Sequence, residues 1–244
     1  MGELPRPLRI PYPRVLLSFK QLEILRLIEL PGLSGSLPTE LGNLSNLREL
    51  EIYRCYYTEW WPHETRDIPS SIWNLSKLKK LNLSGSGFHN PIPTEISNLS
   101  QLTYLDLSDN GLKEVPIDLK PFENLTYLNL ANIGLKGQTP LWIFKSSGLK
   151  YLNLSWNGLS NMHGGDIGKL SNLEKLILSV NSFGDELPSN IHQLENLKYL
   201  DISGNQLKKI PENIEQLNLV VLHLRNNKIT GEIPARLGQM DKLK

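Results

Sequence analysis

Laid over itself, the sequence returns to one spacing, L-x-x-L-x-L-x-x-N, as in Leu102 to Asn110 (LTYLDLSDN). Versions begin at Leu22, Leu47, Leu78, Leu102, Leu125, Leu149, Leu173, Leu197 and Leu219, with starts usually about 24 residues apart, inside the range for a solenoid unit. A unit this short cannot bury its own apolar face, so each copy must lean on its neighbours. The 244 residues are therefore expected to form one quasi-linear domain. Residues 1–21 read as the second half of an incomplete repeat, 22–242 as nine repeats, and 243–244 as the start of a further one. An array that enters and leaves in mid-repeat is expected to have its ends covered by further repeats or another chain.

Nine copies of this motif resemble the leucine-rich repeat family over nearly all of the chain. Several copies continue as L-x-G-x-[IL]-P, at Leu33 to Pro38 (LSGSLP) and Ile229 to Pro234 (ITGEIP), which resembles the plant-specific subclass. Leu112 to Pro116 (LKEVP) and Leu207 to Pro211 (LKKIP) are one residue shorter and look more like repeats of intracellular proteins. The resemblance implies an α/β fold: a right-handed solenoid with a parallel β-sheet on the concave face and short 3₁₀, helical or irregular convex segments. It also implies a non-enzymatic module that recognises a protein or peptide within a larger receptor, signalling or immune protein. The alternative it implies is a secreted protein or receptor ectodomain that recognises a peptide, a glycan or a foreign hydrolase.

The residues themselves support the same architecture. Period-two alternation in L-x-x-L-x-L predicts a short strand with its leucines inward. Nine such strands, running the same way at about 4.8 Å each, make a face of roughly 40 Å. Return segments such as Pro38, Leu41 and Leu44 place apolar residues at period three, which predicts a 3₁₀ turn. After each strand the chain turns while still buried, and asparagine supplies both the donor and the acceptor that its backbone needs. Asn110, Asn157, Asn181, Asn205 and Asn227 hold that place, and Cys55 replaces asparagine in the second repeat. Leu30, Ser86 and Ile133 depart from the pattern, so the ladder is expected to weaken there.

Positions between the strand leucines point into the concavity and are free to vary. One column is aromatic, with Tyr104, Tyr127, Tyr151 and Tyr199, and Trp156 lies two columns along. Tyrosines on adjacent strands offer rigid amphipathic area for a peptide, or simply stack along the sheet. Toward the N-terminal end the face turns to charge, where Arg26, Glu29, Arg48, Glu51 and Arg54 flank Tyr53. That charge reads as a solvated surface or as the polar rim of an interface. His223 and Arg225 stand at the other end. An insertion of about seven residues, within 56–67, carries Trp60 and Trp61, either as a partner anchor or as a cover for the side of its repeat.

Other functions are disfavoured by the same residues. With 26 basic and 25 acidic residues and a net charge of +1, nothing favours nucleic acid or an anionic membrane. No apolar run approaches the roughly 20 residues that span a bilayer, and MGELPRPLRIPYPR lacks the apolar stretch of a secretory signal. Asp106 and Asp201 stand four repeats apart, roughly 19 Å, whereas glycosidase carboxylates sit about 5 to 9.5 Å apart. His63, His89, His163, His192 and His223 fall at unrelated places, and a lone cysteine completes no zinc site. Gly164-Gly165 is not in a phosphate-loop setting. No catalytic group, metal or cofactor is expected. The unpaired Cys55 favours a reducing compartment or a removed cap, whereas the plant-type repeats imply an ectodomain. Sequons begin at Asn43, Asn74, Asn82, Asn98, Asn124 and Asn153; glycans on Asn82 and Asn153 would obstruct the concavity.

Overall fold

The computed structural model describes residues 10–12, 14–30, 33–55, 66–162, 167–210, 213–230 and 234–244. Each L-x-x-L-x-L segment forms a strand: Ile24–Ile28, Glu49–Tyr53, Lys80–Asn82, Tyr104–Asp106, Tyr127–Asn129, Tyr151–Asn153, Lys175–Ile177, Tyr199–Asp201 and Val221–His223. They make one nine-stranded sheet in chain order. Every pairing is parallel and joins equivalent residues of successive repeats, so Tyr104 lies beside Tyr127 and Asp106 beside Asn129. The domain is a solenoid whose sheet, built from one strand of each repeat, forms one continuous face.

Burial explains the register. Leu50, Leu81, Leu105, Leu128, Leu152, Leu176 and Leu200 occupy one place in successive repeats, and all are fully buried. Each contributes about 1.5–3 kcal/mol of apolar burial, and a slip of one residue would send the whole file to the solvent face. The return segments are 3₁₀ turns at Thr39–Asn43, Ser70–Asn74, Thr94–Asn98, Ser189–Gln193 and Ala235–Gln239. Each follows a proline whose carbonyl accepts from the N–H three residues on, as in Leu41 to Pro38 and Ile96 to Pro93. Leu141–Lys145 is α-helical instead and buries Trp142, Ile143 and Phe144 together.

The asparagine ladder forms, and its weak places are not equivalent. Asn157 Nδ2 donates to the carbonyls of Leu130, Leu154 and Ser155, while its Oδ1 accepts from the N–H groups of Gly134 and Leu135. Ser86 Oγ keeps the link to the preceding repeat through the carbonyl of Ile52, at 3.0 Å. The thiol of Cys55 does the same with Leu27, at 3.3 Å. Ile133 fills the place with a buried apolar side chain that makes no such bond.

Two further devices join the repeats. Beyond the main sheet, short parallel pairs run along the flank, Lys136–Gln138 with Gly158–Asn161 and Gly184–Asp185 with Gln206–Leu207. On the opposite side of each strand Asn46, Asn124, Asn172, Asn196 and Asn218 donate to the carbonyls of Lys20, Ser100, Ser147, Ser171 and Glu195. This second file stands one residue before the first leucine of its repeat.

Candidate functional site

Two columns of side chains and one column of unusual backbone make up the face of the sheet. In the first column the rings of Tyr104 and Tyr127 lie 4.1 Å apart and 7° from parallel. Tyr127 and Tyr151 lie 4.3 Å apart at 6°. The stack has a cation at each end: Lys80 Nζ is 5.1 Å from the Tyr104 ring centroid, and Lys175 Nζ is 4.3 Å from that of Tyr199 and 5.7 Å from that of Tyr151. Tyr199 closes the file by an edge contact with His223, whose Nδ1 lies 3.3 Å from the tyrosine hydroxyl. Because both faces of Tyr127 are covered by rings, the column presents edges and hydroxyls outward. Burial above all raises the pKa of Tyr104, Tyr127, Tyr151 and Tyr199, that of Tyr104 to about 12. The hydroxyls are therefore protonated donors at neutral pH.

The second column is Asn82, Asp106, Asn129, Asn153 and Asp201, one residue pair further along the strands. In each, Oδ1 accepts the N–H two residues on, that of Ser84, Ser108, Ala131, Ser155 or Ser203. These are Asx turns that end the strand. They also account for Asp106 and Asp201 without catalysis, since Ser108 Oγ and Ser203 Oγ donate to the same carboxylate oxygens at 2.7 Å. Where Arg26 and Glu51 replace this residue type, the strands run to five residues, Ile24–Ile28 and Glu49–Tyr53.

Left-handed backbone recurs once per repeat, at Glu29, Arg54, Gly85, Asp109, Asn132, Trp156, Val180, Gly204 and Asn226, all with φ between 52° and 65°. Their N–H groups reach across to the next repeat, as Trp156 does to the Ser179 carbonyl and Val180 to that of Ser203. Glycine, asparagine and aspartate suit such a conformation, whereas tryptophan and a β-branched valine do not. Trp156 is nevertheless 63 % exposed and Val180 38 % exposed.

The charged N-terminal end of the face is paired within itself. Arg26 holds Glu49 at 2.6 Å and Glu51 at 2.7 Å, and Lys80 adds 2.9 Å to Glu51. Arg54 meets Glu29 at 3.0 Å, and Arg48 meets Glu23 rather than the concave cluster, at 3.5 Å. Tyr53 ends the second strand, half-buried. Arg225 lies two residues beyond the strand Val221–His223 rather than on it. Trp60 and Trp61, with His63, fall outside the described residues, as do His163 and the Gly164-Gly165 pair. His89 and His192 are held by the carbonyls of Gly87 and Ser189, each at 2.7 Å. Among the described residues no cluster of three His, Cys, Asp or Glu side chains is placed to hold a metal ion, and no helix is long and apolar enough to cross a membrane.

Sequence reasoning singled out the tyrosines and Trp156 and passed over Lys175, Ile177 and Val180. These three depart from their columns: lysine among tyrosines, isoleucine among Asx residues, and a β-branched valine in a left-handed column that otherwise holds Glu29, Arg54, Trp156, glycine, asparagine and aspartate.

The sequence matches a family profile described as a leucine-rich repeat region over residues 135–244. A second, described as a leucine rich repeat, matches residues 77–99 and 101–122. A search among curated proteins finds no match. Among solved structures, the fold superposes on the plant peptide hormone receptor RGFR1 in complex with RGF2, with TM-score 0.82, 29% identity, and coverage of 97% of this chain and 37% of that one. PEPR1 with AtPEP1 gives 0.80 and 30% identity, covering 92% of this chain and 31% of the other. An internalin from Listeria monocytogenes, 21% identical with TM-score 0.72 over 88% of this chain and 58% of its own, shares the fold alone. The chain thus spans about a third of the two receptor chains.

Proposed function

We infer that this chain, which belongs to the leucine-rich repeat family with plant-type repeats, is a non-enzymatic recognition module that binds an extended peptide across its sheet face. The tyrosine column carries this reading. Tyr104, Tyr127, Tyr151 and Tyr199 present a row of protonated hydroxyls and ring edges held rigid by stacking, so little side-chain freedom is lost when a partner docks. Backbone groups of an extended peptide match such a row of donors and acceptors. The likeness to RGFR1, a plant peptide hormone receptor solved in complex with RGF2, supports a peptide and a place within a larger receptor.

A glycan fits the column less well, because sugar stacking needs an open ring face and the faces of Tyr127 are covered on both sides. An extracellular setting remains a second reading, favoured by the receptor likeness and by three sequons. Asn43, Asn74 and Asn98 are exposed residues at the ends of successive 3₁₀ turns, whereas Asn124 is engaged with the Ser100 carbonyl and Asn82 and Asn153 brace strand ends.

The experiment is replacement of Tyr127, Tyr151 and Trp156 by alanine together, with capture from a synthetic peptide library as the readout and circular dichroism as the fold control. Capture should be abolished with the spectrum retained. Unchanged capture would remove the concave face as the binding surface.

A further inference from the structure

Repeat seven, which begins at Leu173, breaks the pattern of its neighbours at three places on one surface. Lys175 stands in the tyrosine column, Ile177 in the Asx column, and Val180 in the left-handed column at φ 55°. The backbone of all three keeps the hydrogen bonds of the coil, with Lys175 N–H donating to the Lys150 carbonyl, the Ile177 carbonyl accepting from Leu154 and Val180 N–H donating to the Ser203 carbonyl; the departure is in the side chains. Ile177 has no oxygen to accept the N–H of Ser179, and a valine held in the left-handed region costs about 1–3 kcal/mol of strain. Trp156 repeats that departure one repeat earlier, at φ 57°. Local rules broken together on one exposed patch are the mark of a surface kept for a partner.

The charge on the patch is unbalanced. Lys80, at one end of the tyrosine stack, is neutralised by Glu51 at 2.9 Å. Lys175, at the other, has no carboxylate within ion-pair distance among the described residues, and instead lies between the rings of Tyr151 and Tyr199. Ring faces hold an ammonium and keep water off two of its sides without cancelling its charge. An arriving anion therefore meets a positioned, partly dehydrated cation, which binds more strongly than a freely hydrated surface lysine.

We propose that repeats six to eight form a carboxylate subsite beside an apolar strip: Lys175, between Tyr151 and Tyr199, takes a carboxylate of the bound peptide, and Ile177, Val180 and Trp156 take a neighbouring apolar side chain. Lys175 and Ile177 are two apart on one strand and share its face, about 6.6 Å from each other, so a peptide that follows the tyrosine column across the strands passes the cation with the apolar strip at its side. The carboxylate is either an Asp or Glu side chain or the C-terminal group, the chemistry at Lys175 being the same. This assignment rests on the peptide-binding reading and narrows it to acidic, apolar-containing ligands.

The test is a library of nine-residue peptides, half with a free C-terminus and half amidated, screened against the protein and against Lys175→Met and Ile177→Asn. Binders should carry a carboxylate with an apolar residue within two positions of it. Lys175→Met should weaken them at least tenfold, yet leave their counterparts with the acid converted to amide unaffected. Survival of binders in the amidated half identifies a side-chain acid, and their confinement to the free-acid half identifies the terminus. Thermal melting of each variant serves as the fold control. Peptides that bind, and are lost in Tyr127→Ala, but show no preference for acids would overturn the subsite while leaving peptide recognition intact. Acid-bearing binders held equally by Lys175→Met would do the same, and a library without binders would overturn both.

Discussion

The hydroxyl of Tyr12 accepts a hydrogen bond of 2.9 Å from Nη2 of Arg66, across 54 residues of chain. Arg66 is fully buried, yet among the described residues no carboxylate pairs with it. Its Nε donates to the carbonyl of Gly35, Nη1 to those of Cys55 and Ser86, and Nη2 also to that of Leu33. Those five bonds use all five N–H groups of a guanidinium, and the rings of Tyr12 and Phe88 cover it at 5.6 and 5.9 Å. The inner end of the insertion is thereby anchored to the incoming half coil and to the first three repeats.

Removing that anchor should be costly. Arg66→Met strands four carbonyls and a hydroxyl, and is expected to lower stability by about 3–5 kcal/mol. Arg66→Lys keeps the charge but offers three donors without the planar fork, so it should recover less than half of the loss. Urea denaturation of the three proteins measures both effects; full recovery with lysine would show that charge rather than fork geometry matters.

The strained column predicts an exchange between stability and binding. Trp156→Gly relieves a left-handed side chain that is 63 % exposed and is expected to raise stability by about 1 kcal/mol, whereas Val180→Gly also gives up packing and should change it less. The same variants should bind peptide more weakly. Thermal melting and library capture on the same samples check the pair, and a fall in melting temperature would mean that these side chains support the coil.

Alkaline pH should loosen the face. A phenol whose pKa is higher in the folded protein holds its proton more tightly there, so its contribution is complete below the unfolded value near 10 and is lost as pH rises through the folded value. For Tyr104 that window runs from 10.0 to about 12. Tyrosinate absorbance should show Tyr104, Tyr127, Tyr151 and Tyr199 ionising late in native protein, with melting temperature falling over the same range. Titration of every tyrosine together near 10 in native protein would contradict this.

Cys55 is fully buried, and burial pushes its thiol pKa up. It should react with a thiol reagent only after denaturant is added. Rapid labelling of native protein would mean that the second repeat opens locally.

Much of the fold was legible because its determinants lie within one period. The strand leucines, the proline-led turns and the asparagines at Asn110, Asn157, Asn181, Asn205 and Asn227 recur at fixed places, and repetition turns a weak local signal into a strong one. Arg66 was not legible: beside Glu64 and Asp67 it reads as part of a charged loop, and only folding brings five oxygens around it. The Asx turns were hidden because L-[ND]-L-S looks like ordinary strand alternation. In the candidate site the tyrosines stood out by type, whereas Lys175 gains its meaning from rings about 24 residues to either side, beyond the reach of local pattern.

The asparagine ladder gives the array a direction. Asn157 belongs to the sixth repeat but satisfies the backbone of Gly134 and Leu135 in the fifth, and Asn205 does likewise for Phe183 in the seventh. For the turns that these asparagines serve, the last hydrogen-bond partners therefore arrive only with the following repeat, so a chain cut short leaves its final turn without them.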